Sequence, residues 1–172
     1  EPPDTEIRPP ALLAGLARSS LVLALPDQAL AGAREHGIVP IQIEALRFMA
    51  QVRSTEFDDP EGALPYFQQA YDLHRVLVRS SGRPNPPLVY DLGYTLMLLG
   101  RHADADARFV EAAAEAAKIP ELAGMSDRIA SHRAEIARLN GDPAAAEPQL
   151  AAVVARQRSA GVASDKHDHV GG

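Results

Sequence analysis

The chain contains no cysteine and no tryptophan, and aromatic residues make up only 5% of its 172 positions. Without cysteine it can form no disulfide and offers no thiolate for catalysis or zinc binding. It also lacks an apolar run of the roughly 18 residues that a membrane span needs, since the best stretch covers only residues 21–25. The net charge of −6 differs from the basic excess that is typical of nucleic-acid binders. The composition therefore predicts neither a membrane span nor a nucleic-acid partner.

Alanine, the strongest helix former, supplies much of the 46% apolar content. Runs of strand-favouring residues hardly occur, so the sequence predicts an all-α chain. The first residue is Glu1 rather than Met, and we therefore expect a fragment or a processed product. Cytoplasmic and exported locations both remain open.

A pattern of small and large residues recurs along the chain. In LGRHADADARFVEAAAEAAK, residues 99–118, the first three key positions are Gly100, Ala105 and Phe109. The stretch DDPEGALPYFQQAYDL repeats the alanine–phenylalanine–alanine part 42 residues earlier. Counting weaker copies toward both ends, the four sets are Ala29, Ala33 and His36; Ala63, Phe67 and Ala70; Ala105, Phe109 and Ala112; and Gly141, Ala146, Leu150 and Val153.

Each copy is interpreted as a turn followed by a new helix. Pro26, Pro60 and Pro143 lie three residues before the key alanine, and proline is tolerated in the first turn of a helix. Apolar residues spaced by three and four precede each turn and indicate a further helix there. The breakers GIVP, SSGRPNPP and KIPELAG separate the resulting pairs. The sequence thus predicts four helix–turn–helix units, at about 10–36, 41–80, 86–118 and 122–160.

The third unit shows a family resemblance best, through Leu92, Gly93, Gly100, Ala105, Phe109 and Ala112. These positions resemble the tetratricopeptide repeat, in the longer form of about 42 residues similar to that of kinesin light chain. The usual Trp and Tyr of its first helix are replaced by Val89 and Leu96. The resemblance spans 10–160 and implies an α-solenoid of about four antiparallel repeats in a right-handed superhelix. An irregular helical bundle, whose alanines reflect helix propensity alone, is the alternative.

The resemblance also implies a function and a site. Members of the family bind a protein or peptide partner on the concave face, which the first helix of each repeat lines, so we expect a non-enzymatic interaction module. Mapped onto this chain, the concave face comprises Arg18, Arg47, Gln51, Tyr90, Asp91, Tyr94, Met97, Arg128, Glu135 and Arg138. Tyrosine and arginine dominate interface energetics. The other interpretation is that Tyr90 and Tyr94 pack against the neighbouring unit.

The sequence predicts no catalytic residue, no cofactor and no dedicated metal site. It contains no phosphate-binding, dinucleotide-binding, zinc-protease or nucleophile-elbow motif. We expect His74 at the surface or between units, and His102 in a packing role after the turn glycine. In the tail, Asp165, His167, Asp168 and His169 are metal-ligand types that would at most bind an ion adventitiously.

The two ends of the chain are expected to lie outside the helical repeats. Residues 1–9, which are rich in proline, are interpreted as an extended arm, and residues 161–172 as a flexible tail. Because no polar capping helix is evident after residue 160, the last repeat is expected to stack either on a second copy, as in a self-assembling scaffold, or on further repeats that this sequence lacks. A regulatory or sensory domain of a larger signalling or transcription-regulatory protein is the other functional alternative.

Overall fold

The computed structural model of the chain describes the backbone of residues 24–168, together with side chains up to residue 158 apart from residues 123, 156 and 157. This part of the chain is entirely helical and contains no strand, which confirms the predicted all-α class. A single 3-10 turn, Pro120–Leu122, precedes the sixth helix. The helices are α1 (24–35), α2 (Val39–Glu56), α3 (Pro60–Ser81), α4 (Pro86–Leu98), α5 (His102–Ala116), α6 (Ala123–Leu139) and α7 (Pro143–Asp168).

The chain divides into two compact units, and the boundary falls within α3, between Leu73 and His74. In the first unit, α1 and α2 are joined by a hydrogen bond from the Gln42 side chain to the carbonyl oxygen of Ala33, at 3.0 Å. Its core combines large apolar side chains with alanines, of which Ala50, Ala63 and Ala70 have no exposed surface. The core residues are Leu30, Ala33, Ile43, Ala45, Leu46, Met49, Ala50, Val52, Ala63, Phe67, Ala70 and Tyr71.

The second unit contains the end of α3 and helices α4 to α7. Within it, consecutive helices from α4 onward contact each other, and α4 also contacts α6. Phe109, Ala105 and Ala112 have no exposed surface, so the pattern seen in the sequence lies in the core. Alanine at such positions lets helix backbones approach closely. Helix α7 extends to Asp168, past residue 160 where the sequence pattern ends.

Two turns in the second unit terminate their helices in the same way. Gly100 follows α4 with φ of 70°, and Gly141 follows α6 with φ of 78°. In both turns the next residue donates its N–H to the carbonyl five positions earlier, Arg101 to Leu96 and Asp142 to Ala137, each at 2.9 Å. This is the Schellman arrangement, in which glycine is favoured because a side chain strains the left-handed backbone.

The turn between α2 and α3 reaches the left-handed region without glycine. Asp58 has φ of 49° and lies five residues before Ala63, as Gly100 lies five before Ala105. Aspartate tolerates this conformation better than most residues. The next residue, Asp59, accepts a hydrogen bond from the N–H of Gly62 at 2.8 Å and caps the new helix, which begins at Pro60.

Candidate functional site: the aromatic cluster of the second unit

Two tyrosines predicted as partner-binding residues lie one turn apart on α4. The helix is capped by Asn85, whose side chain accepts a hydrogen bond from the N–H of Leu88 at 3.2 Å. Tyr90 and Tyr94 stack with a ring separation of 6.5 Å and an interplanar angle of 7°. Tyr94 is 37% exposed, whereas Tyr90 is half-buried. The i, i+4 spacing places both rings on the same face of the helix.

These tyrosines join a ring from each of the next two helices in what we call the aromatic cluster, namely Tyr90, Tyr94, Phe109 and His132. The imidazole of His132 lies at its centre, 5.6 Å from the ring of Phe109, 5.7 Å from that of Tyr90 and 5.1 Å from that of Tyr94. Its Nε2 is also 2.8 Å from the hydroxyl of Tyr90. The cluster therefore attaches α6 to the surface formed by α4 and α5.

A cation borders the cluster. The guanidinium of Arg128 lies 5.3 Å from the centre of the Tyr90 ring, within the range of a cation–π interaction. Burial, and then the nearby charge of Arg128, lower the pKa of His132 below its usual 6.5. Burial raises the pKa of the Tyr90 hydroxyl, although Arg128 acts against this effect. Both directions favour a neutral imidazole that accepts the tyrosine proton in a hydrogen bond.

The two α4 tyrosines differ in how far the cluster covers them. Tyr90 packs against α6 through His132. Tyr94 contacts the same imidazole but keeps a third of its surface exposed. With the exposed Arg128, it forms an accessible border to the cluster. The structure brings together Tyr90, Tyr94 and Arg128 of the predicted site.

The other predicted residues of α4 and α6 take different positions. Asp91 and Met97 are each partly buried, and the carbonyl oxygen of Asp91 accepts a hydrogen bond from the Thr95 hydroxyl at 2.9 Å. Glu135 and Arg138 form a two-pronged ion pair with distances of 2.6 and 2.8 Å. This pair lines a groove between α6 and α7 rather than the border of the cluster.

The predicted residues in the first unit are described separately. Arg47 forms an ion pair with Glu44, one turn earlier on α2, at 3.6 Å. Gln51, on the same helix, accepts a hydrogen bond at its carbonyl oxygen from the Thr55 hydroxyl. Arg18 lies outside the described residues.

Further polar contacts fasten α6 to α5. Arg133 donates to Asp106 at 2.6 Å, and both side chains are partly buried. Nδ1 of His102 lies 2.8 Å from the side-chain oxygen of Asn140, at the end of α6. His102 thus connects two helices, in keeping with the packing role expected for it.

Sequence reasoning missed a buried polar group. His74 is only 1% exposed, so of its two expected positions the surface is wrong and the position between two predicted units agrees with the structure: its Nε2 lies 3.2 Å from Oε1 of Glu115 on α5. The other oxygen of Glu115 accepts a hydrogen bond from the N–H of Asn85 at 3.2 Å. One carboxylate therefore connects α3, α5 and the start of α4. One signal in the sequence could have indicated this: Glu115 lies three residues after Ala112 and so on the same face of α5, which the repeated pattern places in the core.

Neither a metal centre nor a membrane span emerges from the described residues. Within them, no three histidine, aspartate or glutamate side chains are grouped so as to hold a metal ion. The tail residues Asp165, His167, Asp168 and His169 lie outside the part of the chain whose side chains are described. Across the described range, every helix is too short or too polar to cross a membrane.

Comparison with known proteins identifies no relative of this chain. No family model matches the chain, and neither does any curated protein or solved structure. The resemblance to the tetratricopeptide repeat therefore stays a prediction from the sequence.

Proposed function

We propose that the chain is a non-enzymatic protein-binding module built from tetratricopeptide-like helix pairs. The observation that supports this most strongly is the common register of three helix–turn–helix segments. In each, a left-handed turn residue is followed five positions later by a buried alanine, at Asp58 and Ala63, Gly100 and Ala105, and Gly141 and Ala146. The left-handed turn and the buried alanine recur at the same spacing. Helix propensity alone does not explain why alanine occupies these particular positions.

The polar side chains of the second unit support a binding rather than a catalytic role. His74 and Glu115 are buried and hold helices together, and Arg133 pairs with Asp106 between neighbouring helices. His132 is partly buried and contacts three rings as well as the Tyr90 hydroxyl. These groups stabilise the helix packing, which is the usual duty of buried polar networks.

In this proposal a peptide or a partner protein contacts the border of the aromatic cluster, where Tyr94 and Arg128 are exposed. A tyrosine ring provides a large contact area at a small cost in conformational entropy, and arginine adds directional hydrogen bonds. An acidic side chain of the partner would pair with Arg128, while an apolar one would cover the outer face of Tyr94.

The test is affinity capture from lysate of cells that produce the chain, followed by mass spectrometry. We expect Tyr94→Ala and Arg128→Glu each to reduce recovery of the captured partner by about tenfold, because each removes a residue type that dominates interface energetics. Val110→Ala is the matched control, since Val110 is 46% exposed on α5 and lies outside the cluster. Circular dichroism would verify that all three variants keep their helicity. Equal recovery by wild type and both cluster variants would exclude this surface.

A further inference from the structure

The groove between α6 and α7 has an apolar floor and an accessible wall. Its volume is about 630 Å³. Ala134 and Ala146 lie in the floor, both nearly fully buried. On the wall, Leu150 is 46% exposed and Glu147 is exposed beside it.

The same surface occurs one helix pair earlier in the second unit, where it is occupied. Gly100 corresponds to Gly141 and Ala105 to Ala146, a shift of 41 residues. The same shift relates Phe109 to Leu150. Phe109 has no exposed surface and stacks on His132 of α6 with an interplanar angle of 13°. What covers Phe109 is therefore a helix, and the equivalent cover over Leu150 is missing from the described residues.

The equivalence extends to the charged contact beside it. Asp106, which corresponds to Glu147, accepts hydrogen bonds from Arg133 at 2.6 and 3.4 Å. Arg133 directly follows His132 in α6. A helix bound in the groove between α6 and α7 that made the same contacts would place a flat or apolar side chain over Leu150 and a basic side chain against Glu147.

Charge at the groove favours the same occupant. Its walls carry two carboxylates, Glu135 and Glu147, and one guanidinium, Arg138, which already pairs with Glu135. The chain as a whole carries a net charge of −6. A basic helix is therefore attracted and an acidic one repelled, in addition to the single contact with Glu147.

We propose that the α6–α7 groove binds an amphipathic α-helix of a partner protein, which sets an apolar or imidazole side chain on Leu150 and a basic side chain against Glu147. The proposal rests on the helix-pair register that underlies the proposed function, but it uses a different surface from the border of the aromatic cluster. Its mode is that of an apolar helix face laid into a groove.

The sequence of α6 itself supplies the probe. A fluorescein-labelled peptide of residues 123–140, AGMSDRIASHRAEIARLN, would be titrated with the full chain and followed by anisotropy. We expect saturable binding, and a loss of at least about tenfold in affinity for Leu150→Glu, because the charge would be placed in the apolar contact. Val110→Glu is the control, because Val110 is equally exposed and lies on α5, outside the groove.

A charge exchange tests the orientation of the bound helix. We expect Glu147→Arg to weaken binding of the α6 peptide by about three- to tenfold, and a peptide carrying Arg133→Glu to restore it. Restoration would require the basic residue to face Glu147. Equal weakening of both peptides would overturn the proposed register.

Three outcomes would overturn the proposal altogether. One is no saturable binding up to about 1 mM peptide, a limit that corresponds to roughly −4 kcal/mol. A second is equal binding to Leu150→Glu and Val110→Glu. The third is a concentration-dependent mass in sedimentation that Leu150→Glu abolishes, since a second copy would then occupy the groove. Tyr94→Ala should leave binding of the α6 peptide unchanged, because Tyr94 lies outside the groove. The proposal for the groove and the proposal for the border of the aromatic cluster can therefore fail independently.

Discussion

Gly93 lies where α4 packs tightly against α5, so a substitution there tests the packing of the two helices. A β-carbon added there would lie 3.1 Å from two atoms of the Phe109 ring and 3.1 Å from the β-carbon of Arg108. Favourable contacts between carbon atoms lie at about 3.5–4.0 Å, so a shift of roughly half an ångström would be needed. Phe109 has no exposed surface and is held by Tyr90 and His132, which leaves the ring little room to move.

Two opposing effects decide the stability of Gly93→Ala. Alanine in a helix interior is better than glycine by about 1 kcal/mol. Overpacking a well-filled core costs about 1–3 kcal/mol, and we expect about 2 kcal/mol here because one contact is to a β-carbon fixed on the α5 backbone. The unfolding free energy should therefore fall by about 1 kcal/mol. Gly124→Ala is the control, since a β-carbon at Gly124 in α6 meets nothing within 4 Å, and we expect it to be neutral or stabilising by up to about 1 kcal/mol.

The assay is urea unfolding followed by circular dichroism, with midpoints compared at a common slope. A double-mutant cycle with Phe109→Leu separates the steric clash with the Phe109 ring from the higher helix propensity of alanine. The smaller side chain makes room, so Gly93→Ala should become stabilising in that background, with a coupling of about 1–2 kcal/mol. The close packing of α4 on α5 would be refuted if Gly93→Ala were at least as stable as Gly124→Ala and the cycle showed no coupling.

Three further perturbations test the turn, the buried carboxylate and the imidazole. Asp58→Gly should be at least as stable as wild type, whereas Asp58→Val should lower the unfolding free energy by about 1–2 kcal/mol, because β-branched residues avoid positive φ; equal melting of the two variants would contradict this. Glu115→Ala should destabilise by about 2–3 kcal/mol in urea, because it leaves His74 and the N–H of Asn85 without that partner, and Glu115→Gln should recover part of the loss. Since the pKa of His132 is lowered in the folded state, the unfolded chain takes up the proton first as pH falls through 6.5. The contribution of His132 to stability is thus present above that pH and is lost on acidification. Wild type should therefore lose more unfolding free energy than His132→Gln between about pH 8 and pH 5.5. Parallel profiles of stability against pH would contradict the lowered pKa.

Local signals predicted the helices well. Pro60 and Pro143 each stand at the first residue of a helix, and Gly100 and Gly141 each end one with a left-handed turn. These features act over a few residues of chain, so they can be read from one sequence. Ala63 and Ala105 are likewise buried with no exposed surface, as repeated spacing between turns suggested.

Contacts between distant residues could not be read in the same way. Glu115 reaches His74 across 41 residues, and Tyr90 reaches His132 across 42. Neither pairing follows from spacing along one helix, because it depends on how neighbouring helices cross. The same limit applies to Leu150, whose place in the pattern matches Phe109 but whose exposure depends on a covering helix.

The matching turns at Gly100 and Gly141 give the second unit a modular character that protein engineering can use. If residues 101–141 were inserted again directly after Gly141, the chain would gain one α5 and one α6, and each copy would begin after a glycine that already closes a Schellman turn. The inserted segments would reuse the α5–α6 and α6–α7 contacts. The new contacts would be those of the first α6 with the second α5, where a phenylalanine would replace Leu150, and with the second α6. Lengthening by whole cassettes is thus the change that this architecture should accept most readily.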